Sequence, residues 1–197
     1  HEGDDRFGRR SGLMDVAAPT TEGPWPVVVA FHGDPRSVSK EWMRPTGMRV
    51  AEHGRVVFMP AWGHMDGSWS REVPLRTEWE ALTDEIACAV AYAKAHAADH
   101  GGDPNHITVY GFSAGGNAAL MAGLGDSQPL DACAVDGPRV MPQAVVSGDG
   151  DALLGGGWDA QLAEDPEAFY ALTPWRDLDP EAHGFPVHVI ATDTAVG

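Results

Sequence analysis

Six residues, Gly111-Phe112-Ser113-Ala114-Gly115-Gly116, combine types and spacing suited to nucleophilic chemistry. A serine hydroxyl is a weak nucleophile until a neighbouring base takes its proton as it attacks a carbonyl carbon. Glycines two residues before and two after the serine suit a sharp turn in which the serine takes a strained backbone position. A side chain at either flanking site would collide with the turn. The chemistry so indicated is acyl transfer, and it needs a carboxylate, a histidine and donors for the developing oxyanion.

The neighbouring segments supply the elements that must hold such a turn. His106-Ile107-Thr108-Val109-Tyr110 is β-branched and aromatic and predicts a strand. Asn117-Ala118-Ala119-Leu120-Met121-Ala122 predicts a helix that stops at Gly123 and Gly125. Upstream, Leu75, Trp79, Leu82, Ile86, Val90 and Ala93 recur at spacings of three and four, one apolar face of a long helix. Gly101-Gly102-Asp103-Pro104-Asn105 ends that helix with turn chemistry. Further strands are expected at Trp25-Pro26-Val27-Val28-Val29-Ala30-Phe31, Arg55-Val56-Val57-Phe58-Met59-Pro60, Gln143-Ala144-Val145-Val146-Ser147 and Pro186-Val187-His188-Val189-Ile190-Ala191. Leu13-Met14-Asp15-Val16-Ala17 reads as a short edge strand. With helices interleaved, the pattern predicts an α/β fold: a mostly parallel, doubly wound sheet covered on both faces.

Asp103-Pro104-Asn105-His106-Ile107 followed by Gly111-Phe112-Ser113-Ala114-Gly115-Gly116 resembles the serine carboxylesterase and lipase branch of the α/β-hydrolase superfamily. Trp25-Pro26-Val27-Val28-Val29-Ala30-Phe31-His32-Gly33 is similar to that superfamily's buried strand ending in a His-Gly oxyanion motif. The resemblance covers most of residues 13–197, read as one domain after a loosely held arm at 1–12, with a small cap at 152–180.

The resemblance implies roles for individual residues. Ser113 is the nucleophile, and the backbone N–H of Ala114 gives one oxyanion donor. The second donor comes from the loop after His32-Gly33, at or near Asp34. Asp34 departs from the superfamily pattern, in which further glycines follow the His-Gly pair; its ionised carboxylate would repel an oxyanion unless it pointed away. Asp193, after the last strand, is the implied triad acid, with Asp149 and Asp151 as the alternatives. The superfamily order places the histidine after the acid, and no histidine of this sequence follows Asp193. The chain as given is therefore expected to be incomplete at its C-terminus or to lack the base. His64 is the substitute to weigh, because it follows a strand end. His32 is assigned to stabilising its loop and, with Trp62 and Trp158, to the substrate-binding surroundings.

Composition narrows the classes. Among 197 residues, 29 are Asp or Glu and 13 Lys or Arg, a net charge of −16, which argues against nucleic acid or an anionic membrane as partner. No apolar run approaches about 18 residues, so no transmembrane helix is expected. The first residues lack the apolar core of an intact signal peptide, which leaves localisation open. The two cysteines, Cys88 and Cys133, are too few for a disulfide framework, and Cys88 reads as a small buried hydrophobe. No Cys-x-x-Cys pair occurs and the His-Asp combinations are scattered, so no metal and no cofactor is implied.

Trp62, Trp69 and the Gly155-Gly156-Gly157-Trp158 stretch fall in segments suited to lining an acyl or alcohol pocket. Aromatic walls with few polar groups suit small, fairly apolar esters. Three readings stay open: a carboxylesterase, a peptidase or acyltransferase on the same fold, and a hydrolase-like binding protein without catalysis.

Overall fold

The valine-rich run Trp25–Phe31 lies in the middle of a sheet, flanked by the runs that contain Val56–Pro60 and Ile107–Val109. The computed structural model describes residues 14–33, 38–63, 75–125, 129, 133–148 and 187–190. Within them the chain forms β1 (Met14–Ala17), β2 (Trp25–Phe31), a short 3-10 turn at Lys40–Met43, α1 (Arg44–Glu52) and β3 (Val56–Pro60). There follow α2 (Leu75–His96), β4 (Gly102–Phe112), α3 (Ala114–Leu124), β5 (Ala144–Gly148) and β6 (Val187–Ile190). These six strands form one sheet in the order β1-β3-β2-β4-β5-β6. Only the β1–β3 pairing is antiparallel; the other neighbours run parallel. The expected α/β fold with an edge strand near residue 14 is the one observed. The arm at 1–12 and the cap at 152–180 lie outside the described residues.

Alternation along β2 explains why both faces are covered. Val27, Val29 and Phe31 join Ile107, Val109 and Val145 in one core, with Leu82, Ile86, Val90 and Ala93 of α2 and Ala118, Ala119 and Leu120 of α3. Ala30 of β2, with Val57 and Met59 of β3, faces the opposite way, onto Met43 of the 3-10 turn and Ala51 of α1. Successive side chains of a strand point to opposite faces, so a central strand between two helical layers must be apolar on both. Each fully buried Val, Ile or Phe contributes roughly 1.5–3 kcal/mol.

Two expectations are corrected. The strand before the serine begins at Gly102, not His106. Gly102 pairs with Trp25 and Ile107 pairs with Val27, so β4 uses four residues where β2 uses one. The turn chemistry expected there is real but sits inside this bulge: the Asn105 N–H donates to Asp103 Oδ1 at 2.9 Å, and His106 Nδ1–H to Oδ2 at 2.6 Å. Those bonds, the backbone one first, hold the Asp103 carboxyl below its usual range.

The second correction concerns the cysteines. Cys88 on α2 and Cys133, in the connection between α3 and β5, form a disulfide across 45 residues. Their Cα atoms stand 5.7 Å apart, within the span a disulfide bridges. Spacing alone could not show this, because the approach is made by the packing of α2. Closing a loop of this length stabilises the fold by about 4 kcal/mol through chain entropy.

Candidate active site

The chain passes from β2 outward to β3, then returns to the other side of β2 to form β4. The carboxyl ends of β2 and β4 thus meet where the strand order reverses, the place where open α/β sheets form their binding crevices. His32-Gly33 follows β2, and Ser113 follows β4.

Ser113 joins β4 to α3 with φ 56° and ψ −127°. Among the described residues it is the only non-glycine with positive φ. Such a conformation costs on the order of 1–3 kcal/mol and persists only where its surroundings enforce it. Here the Ser113 N–H donates to the Gly148 carbonyl of β5 at 2.7 Å, and the Gly116 N–H donates to the Ser113 carbonyl at 2.8 Å. The flanking glycines are required by space. A Cβ on Gly111 would lie 1.9 Å from the Gly115 carbonyl oxygen, and one on Gly115 would lie 2.2 Å from that of Phe31 and 2.4 Å from that of His32. Backbone oxygens cannot rotate away as side chains do, so the Gly-x-Ser-x-Gly spacing is the packing of α3 onto the ends of β2 and β4. A Cβ built on Gly33 would stand 3.9 Å from Ser113 Cβ, so the residue after His32 faces the serine.

Ala114 is buried and opens α3. The first N–H groups of a helix have no intrahelical acceptor and carry the positive end of its dipole. An 11-residue helix therefore presents polar backbone hydrogen next to the Ser113 side chain.

His32 and Trp62, assigned in the sequence to the substrate surroundings, are buried against each other at the end of β2. His32 is fully buried and Trp62 is 2% exposed. The Trp62 ring stands 5.6 Å from the His32 ring and edge-on to Phe31 at 6.1 Å, and its Nε1–H donates to the His32 carbonyl at 3.1 Å. His32 Nδ1–H in turn donates to the Gly33 carbonyl at 2.9 Å, which fixes its tautomer because a carbonyl can only accept. Both residues are buried against the loop that leaves β2. An aromatic residue after a strand end reads the same in sequence whether it points into the crevice or under it. The apolar side chain exposed next to the serine is Phe112, half open to solvent and seated on Gly148, where a Cβ would stand 3.2 Å from its ring. Sequence reasoning missed it, though its place inside the motif was the available signal.

Asp34, His64, Asp149, Asp151, Trp158 and Asp193 lie outside the described residues. The strands that lead to the candidate acids are described: Phe112, Gly148 and Ile190 are register partners in turn across β4, β5 and β6.

A charged cluster lies at the sheet edge. The Asp15 carboxylate on β1, 6% exposed, receives Lys40 Nζ–H and, at 2.6 Å, Arg44 Nε–H. Burial pushes its carboxyl upward, but the hydrogen bonds and charges of Arg44 and Lys40 outweigh this and hold it below the usual range. A cavity of about 640 Å³ opens beside it, lined by Trp25, Met48, Ala51, Met59, Arg44 and Glu52 among others, and by neither Ser113 nor Gly33. Among the described residues no group of three or more His, Cys, Asp or Glu is placed to hold a metal ion. No described helix is long and apolar enough to cross a membrane.

The profile of the BD-FAE family matches residues 14–139, well over half of the chain. The chain belongs to the BD-FAE family. It lies in the esterase and lipase-like branch of the α/β-hydrolases. Among curated relatives, a 54-residue stretch is 39% identical to Esterase LipQ and 37% identical to Probable carboxylic ester hydrolase LipM, both of Mycobacterium tuberculosis. The stretch is 27% of this chain and spans only 13% of LipQ and 12% of LipM. Among solved structures, the fold is similar to Est2 of the Planctomycetes species Thermogutta terrifontis, described as a novel thermophilic esterase. The propionate-bound form superposes with a TM-score of 0.64 at 19% identity, over 92% of this chain and 78% of that one. The native form gives 0.65 at 18%, over 92% and 76%.

Proposed function

We propose that this BD-FAE member is a serine carboxylesterase that cleaves small, fairly apolar esters through an acyl-enzyme on Ser113. The observation that carries this reading is the strained φ of Ser113 at the head of α3, with Gly33 facing it across the switch point. The names of LipQ and LipM support the reaction type.

In this mechanism Ser113 Oγ attacks the ester carbonyl carbon as a histidine base takes its proton. The carbonyl oxygen becomes an oxyanion and accepts the Ala114 N–H and a donor from the Gly33–Asp34 loop. One such donor lowers the barrier by about 3 kcal/mol. Collapse of the tetrahedral intermediate expels the alcohol, which takes the proton from the histidine; water then repeats the cycle and frees the acid. Asp193 orients that histidine, which the superfamily order places after it and for which His64 is the substitute within this sequence. The aligned carboxyl ends of β4, β5 and β6 support this, because β6 leads toward Asp193 from the same edge as Ser113, while Asp149 and Asp151 follow β5 from that edge. Phe112 supplies apolar surface beside the nucleophile, which suits an uncharged acyl or alcohol group.

The test is labelling with a fluorophosphonate alongside turnover of p-nitrophenyl acetate, butyrate and an anilide. A single adduct on Ser113, butyrate turnover well above anilide turnover, and a loss of at least about 10³-fold in Ser113→Ala are expected. An unlabelled, inactive protein would favour the binding reading. Comparable anilide cleavage would favour a peptidase.

A further inference from the structure

We propose that Glu85 and Trp62 are positioning residues for the oxyanion loop, acting on Ser113 chemistry through His32 and Gly33; this rests on the serine-esterase reading above. Glu85 lies on α2, 6% exposed in the apolar layer between that helix and the sheet. A carboxylate there is costly unless its oxygens are hydrogen-bonded. One bond is to the backbone: the Gly63 N–H donates to Glu85 Oε2 at 3.0 Å, 22 residues away in sequence. Gly63 has φ +77°, a left-handed turn directly after Trp62. Glu85 thus fixes the turn that carries the indole.

From the indole the chain of contacts continues to the site. Trp62 Nε1–H holds the His32 carbonyl, whose oxygen is also the one that a Cβ on Gly115 would strike at 2.4 Å. The His32 carbonyl is therefore set from two sides, by the indole and by the start of α3. A peptide unit is planar, so fixing this oxygen fixes the direction of the Gly33 N–H in the same plane. The His32 ring, packed on the indole, holds the Gly33 carbonyl and with it the plane of the peptide that leaves Gly33. Both planes from which the second oxyanion donor can come are thus oriented by Trp62, directly or through His32. An oxyanion site built from backbone N–H groups depends on such orientation, since a misplacement of about 1 Å can cost about 10²-fold in rate.

The experiment compares Trp62→Phe, Glu85→Gln and Glu85→Leu for kcat and KM on p-nitrophenyl butyrate, the rate of fluorophosphonate labelling, and urea stability. Trp62→Phe keeps an aromatic side chain but removes the pyrrole ring with its N–H; kcat and the labelling rate fall about 10- to 100-fold while KM moves less than threefold. Glu85→Leu lowers kcat in the same way, and Glu85→Gln, which keeps an acceptor oxygen for Gly63, recovers most of that loss. Trp62→Phe combined with Glu85→Leu is less than additive, because both act through one carbonyl. Wild-type kcat in Trp62→Phe, or losses that track only the unfolded fraction, would overturn the proposal. Should Glu85→Leu fail to fold, Trp62→Phe and Glu85→Gln carry the test. If the wild-type protein neither turns over esters nor takes the label, the esterase reading fails separately. Amide exchange over residues 28–33 then decides positioning: faster exchange in Trp62→Phe than in Glu85→Gln supports it, and equal exchange overturns it.

Discussion

On its N-terminal side, the segment that leaves β2 is held by dipoles: an indole N–H on the His32 carbonyl and an imidazole N–H on the Gly33 carbonyl. On its C-terminal side, at the Lys40–Met43 turn and the start of α1, it is held by charges: Asp15 of β1 grips both Lys40 and Arg44. The first fastening lies in the middle of the sheet, against the elbow. The second lies at the edge, and the side chain of Arg44 is 39% exposed. Neutral hydrogen bonds set direction and ignore salt, whereas an ion pair adds strength that depends on pH and screening. The half nearest the nucleophile is thus built for orientation, and the half nearest the edge for attachment.

The largest effect belongs to the inner side. Gly115→Ala forces a methyl into the Phe31 and His32 carbonyls, which cannot yield. Stability measured by urea should fall by about 3 kcal/mol, and labelling of Ser113 by roughly 10²-fold as the elbow and loop part. A neutral Gly115→Ala would break the contrast at its inner end.

The outer side should be weaker and should titrate. Asp15→Asn leaves buried Lys40 with only the half-exposed Glu41, 3.9 Å away, as a charged partner and should cost about 2 kcal/mol at pH 7. The Asp15 carboxyl lies below its ordinary value in the fold. Its contribution is therefore complete above about pH 4 and is lost as pH falls through the lowered folded value. Urea curves at pH 7 and pH 3 should show the gap between wild type and variant closing in acid; a gap that does not change with pH would remove the ionic account.

The smallest difference is in salt. A double-mutant cycle of Asp15→Asn with Arg44→Met should give a coupling of about 0.5–1 kcal/mol that shrinks between 0.05 and 1 M salt. The effect of Trp62→Phe on stability should be the same at both salt concentrations, because neither partner in that bond is charged.

Sequence made the strands and the elbow legible because both are local. A β-branched run buried on two faces looks like nothing else, and Gly111 and Gly115 record clashes with backbone oxygens. The Lys40–Met43 turn and α1 gave a weaker signal, a proline in the first turn at Arg44-Pro45. What stayed hidden was long-range. Glu85 reaches Gly63 only because α2 packs across β4 and β2, and Asp15 meets Lys40 and Arg44 only after β1 pairs antiparallel with β3. The start of β4 was misread for a related reason: Asp103 and Asn105 have turn chemistry, but the sheet closes again behind them at Gly102. Trp62 shows the same limit, since its type and position were visible and its direction was not.

The bond between Cys88 and Cys133 turns residues 88–133 into a closed covalent ring. The second part of α2, all of β4, Ser113 and all of α3 lie on its circumference. A single backbone scission anywhere within that arc leaves one molecule, with both banks of the cut still tethered through sulfur. The nucleophile is therefore carried on the one stretch of this chain that cannot be severed by a single break.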